Sequence, residues 1–204
     1  MNERQEISLF PLKSVMFPGG RLKLQIFEQR YIDLVKQSLR MNSGFGICLL
    51  KDGEEAIRPG TTQTVHRIGT YVHIIDWDQL GNRLLGITVK GVQKVTVNDY
   101  WQVDSGLLMA NVNYSSVDKL GKEKIELDEQ FQQLADLLHN LEQHPLVEDM
   151  NLDIDYNNLW DLGWRLSELM PITPDKKQQL LELDDPWERI RTIEQWVGDL
   201  ANGH

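Results

Sequence analysis

The chain has 204 residues, 41% of them hydrophobic and 25% charged, with a formal net charge of −10 and one cysteine. That composition is globular and long enough for one large domain or two small ones. It excludes an internal disulfide framework, and no apolar run approaches the roughly 20 residues of a membrane span.

The charge is unevenly placed. Residues 1–113 hold 13 Lys/Arg against 11 Asp/Glu, whereas residues 114–204 hold 8 against 20. Phosphate neutralisation needs a strong basic patch, so this balance argues against nucleic-acid binding. The N-terminal MNERQEIS lacks an apolar signal-peptide core, and a cytoplasmic protein is the simplest reading.

The first strand is read over ISLFPLKSVMF, with Pro11 expected at an edge or bulge because it has no N–H for a ladder. Pro18-Gly19-Gly20 predicts a tight turn, and RLKLQIF predicts a returning strand with Leu22, Leu24 and Ile26 on one face. Strands one and two are thus expected to form a hairpin. A helix follows from Phe27, with Ile32, Val35 and Leu39 as its apolar stripe and Glu28 in its first turn, ending at Asn42-Ser43-Gly44. Alternation then predicts further strands, including TYVHIIDW and RLLGITV as a hairpin around Gly81-Asn82, after a loop at Pro59-Gly60. About six strands are expected up to residue 114.

The second half reads as helical. Leu127, Phe131, Leu134, Leu138 and Leu141 form one seam, ended by Pro145. Leu159, Leu162, Leu166 and Leu169 form another. Thr173-Pro174 and Asp185-Pro186-Trp187-Glu188 are helix start signals. The acidic segment 145–158 between them is expected to be a loop.

No constellation for catalysis emerges. Neither a phosphate loop nor a nucleophile elbow is present. Cys48 lies in an apolar strand, where a buried inert thiol is expected. His139 and His144 fall on different helix faces, and Asp153 and Asp155 suit a solvated loop better than a metal. No metal and no cofactor is expected.

The string LFPLKSVMFPGGRLKLQIFEQRYIDLV resembles the opening signature of the Lon protease N-terminal (substrate-binding) domain family. GNRLLGITVKGVQKVTV and LSELMPITPDKKQQLLELDDPWERI resemble its later hairpin and closing helices. One departure is Gln29, where many members have proline; another is the ending at Ala-Asn-Gly-His, which reads as a stand-alone form. The resemblance implies an α+β fold: a PUA-like β pseudo-barrel with one helix over 1–117, then a helical bundle over 118–204, together one domain of this type. It also implies a non-catalytic protein-binding module for unfolded or degron-bearing polypeptides, an adaptor or modulator working with a protease. The alternatives are an RNA-binding PUA-like module and a small-ligand sensor or unrecognised enzyme.

For the binding surface, Met16 and Phe17 before Pro18, Gly19 and Gly20 are candidates, because methionine adapts to varied partners; the competing reading makes Phe17 core. Glu28, Arg30 and Tyr31 at the helix start are expected to tie the helix to the sheet.

Overall fold

The computed structural model describes residues 5–56, 62–80, 84–116 and 124–201. The predicted turns at Pro59-Gly60 and Gly81-Asn82 lie outside the described residues, as does the boundary expected at 117–118. The chain divides into two compact units, Met1–Leu120 and Gly121–His204.

Among the described residues the first unit contains seven strands, β1 (Gln5–Leu12), β2 (Arg21–Ile26), β3 (Phe45–Asp52), β4 (Thr64–Val65), β5 (Ile68–Gln79), β6 (Leu85–Gln102) and β7 (Leu108–Tyr114), and one helix, α1 (Gln29–Met41). Five of the strands close a ring. β1 pairs antiparallel with β7, β7 with β6, β6 with β5 and β5 with β3; β3 then pairs in parallel with β1, Leu9 opposite Gly46 through Leu12 opposite Leu49. Closure removes edges that would otherwise be open to aggregation.

The β1–β3 pair explains why ISLFPL and GICLL show no clean alternation. Ile7, Leu9 and Cys48 pack into one core cluster with Val95, Val97, Ala110 and Val112. Phe10, Leu12 and Ile47 point the other way, into a second cluster with Tyr31, Val35, Val72 and Val89. Strands buried on both faces read as continuous apolar runs. Pairing of β1 with β7 stops at Leu9, so at Pro11 β1 has only β3 beside it, as suits a residue without an N–H.

The expected hairpin of the first two strands does not form. β2 pairs with β6, Arg21 opposite Lys90 through Ile26 opposite Leu85, and β1 ends at Leu12. The Pro18-Gly19-Gly20 turn exists: Gly20 N donates to Phe17 O at 3.1 Å, and Gly19 has φ +77°. What it does is dock on β6. Gly19 N donates to Gly91 O and Gly91 N to Gly20 O, both at 2.9 Å, while Thr70 Oγ1 in β5 donates to Met16 O at 2.6 Å. A Cβ on Gly91 would lie 2.2 Å from Phe17 O, so only glycine admits this approach.

Beside Gly91 the register of β5 and β6 slips, with Val72 opposite Gly91 but Tyr71 opposite Gln93. Such a bulge bends a strand. β6 therefore serves both the ring and an extension of the same sheet. Its residues 95–102 belong to the ring, opposite β7. Its residues 85–90 form the centre of a three-stranded extension, between β2 and residues 73–79 of β5.

Helix α1 buries Arg30, Tyr31, Leu34, Val35 and Ser38, whereas Leu39 is 42% exposed. The buried stripe is thus rotated from the expected Ile32–Val35–Leu39, because two aromatic and charged anchors at its start fix which face meets the sheet. Glu28 is the N-cap residue and makes no side-chain cap; its carboxylate accepts from Arg30 Nε instead. Asn42, in the left-handed conformation with φ +49°, ends the helix.

Among the described residues the second unit holds five α-helices: α2 (Gln132–Glu142), α3 (Pro145–Glu148), α4 (Leu159–Leu169), α5 (Pro174–Glu182) and α6 (Pro186–Ala201). α4 packs against α2, α5 and α6. Leu127 precedes the first helix, and the segment expected to be a loop carries the short α3. The start signals act as capping residues: Thr173 accepts from Lys176 N with Pro174 at the first helical position, and Asp185 accepts from Trp187 N at 3.0 Å. Arg189 is fully buried. Its guanidinium lies 3.3 Å from the centroid of Trp164, and it donates to the carbonyls of Leu180 (3.1 Å) and Leu183 at the end of α5. A cation at the end of a helix suits the helix dipole.

Candidate polypeptide-binding site

The residues predicted for client contact are inside. Met16 is 3% exposed and Phe17 0%; Pro18 and Gly20 are buried and Gly19 is half-buried. This corrects the expectation that Met16 presents apolar area at the surface; for Phe17 the competing reading, a core position, is the one the structure shows. The reason is the docking of their segment on β5 and β6, which turns both side chains inward, with the Met16 carbonyl accepting from Thr70 and the Phe17 carbonyl from Gly20 N of the turn.

Arg30 and Tyr31 organise a different region. Arg30, 6% exposed, donates from Nε to Glu28 (3.0 Å), from Nη1 to Gly106 O (2.8 Å) and Gln63 Oε1 (3.3 Å), and from Nη2 to Glu55 O (3.0 Å). Gln63 Nε2 also donates to Glu54 O at 2.6 Å. The turn at 54–56 is thereby fastened to the start of α1. Tyr31 stacks on Phe10 with centroids 3.9 Å apart, under the Arg30 guanidinium at 4.2 Å. Its hydroxyl is buried and lies toward Gln63 without meeting hydrogen-bond geometry, and burial pushes its pKa well above the usual phenol range.

Two clefts, each of about 290 Å³, open on either side of Leu24 in β2. The first lies on the face of the three-stranded extension. Leu24, Ile87 and Trp77 stand opposite one another across β2, β6 and β5, so their side chains share that face. Leu80 closes one side, and Lys23, Asp76 and Asp78 form the polar rim. The second is a slot between β2 and the end of β1. Phe10, Leu12 and Tyr31 line it, with Phe27, Glu28, Glu55 and Ala56 and the consecutive residues Lys23–Ile26.

Large apolar side chains are exposed at both clefts: Trp77 at 57% and Phe27 at 64%. Neither stood out as a binding residue in the sequence. The signal was only local: Trp77 is flanked by Asp76 and Asp78, and Phe27 sits between the last strand residue and the helix. Both are places where a large ring has no core position to fill.

Among the described residues no group of three His, Cys, Asp or Glu side chains is placed to hold a metal ion. Cys48 is 1% exposed, and burial pushes its thiol up to about 12. Among the described residues no helix is long and apolar enough to cross a membrane.

Comparison with known proteins agrees with the architecture. A crystal structure of a Lon N-terminal domain protein from Xanthomonas campestris superposes with a TM-score of 0.74 at 30% identity, covering 94% of this chain and 98% of that one. The N-terminal domain of the Mycobacterium avium complex Lon protease gives 0.61 at 15% identity, covering 96% and 99%, a likeness of fold. The mixed α/β architecture, β-rich and then helical, is the fold of these domains. Among curated proteins, the Lon protease of Anaeromyxobacter dehalogenans is 24% identical over 177 residues, 86% of this chain but 18% of that protein. Lon protease 2 of Myxococcus xanthus is 29% identical over 125 residues, 61% of this chain and 15% of that protein. The chain thus spans less than a fifth of these two relatives. Residues 6–198 match the family model of the ATP-dependent protease La (LON) substrate-binding domain, and the chain belongs to that family.

Proposed function

We propose that this chain is a polypeptide-binding module that takes hold of exposed apolar segments of unfolded or degron-bearing proteins and performs no peptidase or ATPase chemistry of its own. Its role in the cell is that of an adaptor or modulator for a protease. The observation that carries this reading is the pair of apolar clefts around Leu24, each with a large exposed aromatic beside it. Exposed apolar surface concentrated around concave sites marks interaction surfaces. Membership of the substrate-binding family supports the same reading.

The test is binding of a fluorescently labelled unfolded model protein such as reduced casein. Phe27→Ser and Trp77→Ser each remove a ring that is already exposed, so folding is preserved. Loss of part of a buried aromatic contact is worth about 1–2 kcal/mol, or roughly a 5- to 30-fold weaker Kd. Unchanged affinity in the double variant would overturn the assignment of the site.

A further inference from the structure

Among the described residues β2 pairs only with β6, so its other edge has no strand beside it. That edge faces the slot. Lys23, Leu24, Gln25 and Ile26 line it consecutively, continuing through Phe27 and Glu28, and no β6 residue does. With its lining drawn from β2, the end of β1 and the start of α1 and none from β6, the slot lies on the side of β2 away from the strand it pairs with.

We infer that the slot takes an extended, uncharged apolar polypeptide segment, which adds to β2 as a further strand through main-chain hydrogen bonds. This rests on the polypeptide-binding reading above and specifies its mode. Strand addition to an exposed edge is chemically suited to varied clients, because the backbone groups are the same in every sequence.

The charges around the slot set the side-chain preference. Lys13 pairs with Glu54 at 2.6 Å and Arg30 with Glu28 at 3.0 Å. The Glu55 carboxylate accepts from the Lys13 backbone N at 2.5 Å, and Lys23 supplies the opposite sign. The rim is therefore electrically balanced and selects neither an acidic nor a basic segment. The walls, Phe10, Leu12 and Tyr31, are apolar. An added strand about as long as β2, six residues, would turn every second side chain onto these walls and leave the rest toward solvent.

The test uses the full chain and a fluorescein-labelled apolar decapeptide of alternating Val and Ser, in three forms. One is unmodified, and two carry backbone N-methyl groups on alternate residues, in opposite frames. Anisotropy titrations should show that one frame weakens binding at least tenfold, since its lost N–H groups face β2, while the other stays within about threefold. Ala56→Trp, a substitution at an exposed slot residue, should abolish binding with an unchanged far-UV circular dichroism spectrum. If both frames bind like the parent peptide, strand addition is wrong and the polypeptide-binding reading stands. If neither the parent peptide nor unfolded casein binds, that reading falls too. A concentration-dependent dimer that excess peptide fails to dissociate, seen by light scattering, would overturn the proposal in favour of a second copy as the occupant.

Discussion

Gly91→Ala is the substitution that probes how the opening segment is held. The new Cβ would lie 2.2 Å from Phe17 O, 3.0 Å from Phe17 C and 3.2 Å from Pro18 Cα, all backbone atoms. No side-chain rotation can relieve those contacts, so the 16–20 segment must move by more than an ångström. Movement breaks the two 2.9 Å hydrogen bonds between Gly91 and the turn. Each is worth about 0.5–1.5 kcal/mol, and overpacking typically adds about 1–3 kcal/mol. The expected loss is about 2–6 kcal/mol, more if Phe17 and Met16 become exposed as the segment lifts. Urea unfolding followed by tryptophan fluorescence measures it. The proper control is Gly198→Ala in α6, where nothing lies within 4 Å of the added methyl group and helix propensity predicts a gain of about 0.5–1 kcal/mol. Gly19→Ala should also destabilise, since Gly19 has φ +77°, while Gly20 does not share that conformation. A loss below about 1 kcal/mol for Gly91→Ala would refute the view that this close approach holds Met16 and Phe17 inside.

Tyr31→Phe should leave stability unchanged or raise it by about 1 kcal/mol, because it deletes a buried hydroxyl that meets no hydrogen-bond geometry; a loss of 2 kcal/mol in urea melts would show that the hydroxyl is satisfied. Cys48 should resist iodoacetamide in the native protein and react fully in urea. Its raised folded-state pKa means that the thiol adds stability up to its ordinary value of 9.0, stability that is lost only as pH climbs toward about 12. Stability between pH 6 and 8.5 should therefore be indifferent to Cys48→Ala apart from a constant offset, and native labelling at the unfolded rate would contradict the burial. Arg189→Met should cost about 3 kcal/mol, since it strips charged donors from the Leu180 and Leu183 carbonyls and the cation from Trp164; a neutral result would mean that α5 ends without that support.

What the sequence by itself determined here is local or repetitive. The division into a β-rich and a helical half follows from period, since alternation and 3.6-residue spacing need no partner to be recognised. Thr173-Pro174 and Asp185-Pro186 begin their helices as their side chains require, because a cap bonds within one turn of itself. The family signature was legible for a related reason: Pro18, Gly19 and Gly91 stand where the backbone admits few alternatives. Tertiary structure decided which strands meet. Nothing in RLKLQIF distinguishes β1 from β6 as its partner, because the backbone edge is chemically uniform and pairing is chosen by the total apolar area buried. It also decided the accessibility of Met16 and Phe17, which depends on two hydrogen bonds to a residue more than seventy positions away. The clefts at Leu24 belong to the same class. They exist because β6 bends at Gly91 and carries β2 and the end of β5 beyond the ring, leaving Phe27 and Trp77 with water on one side and no core to enter.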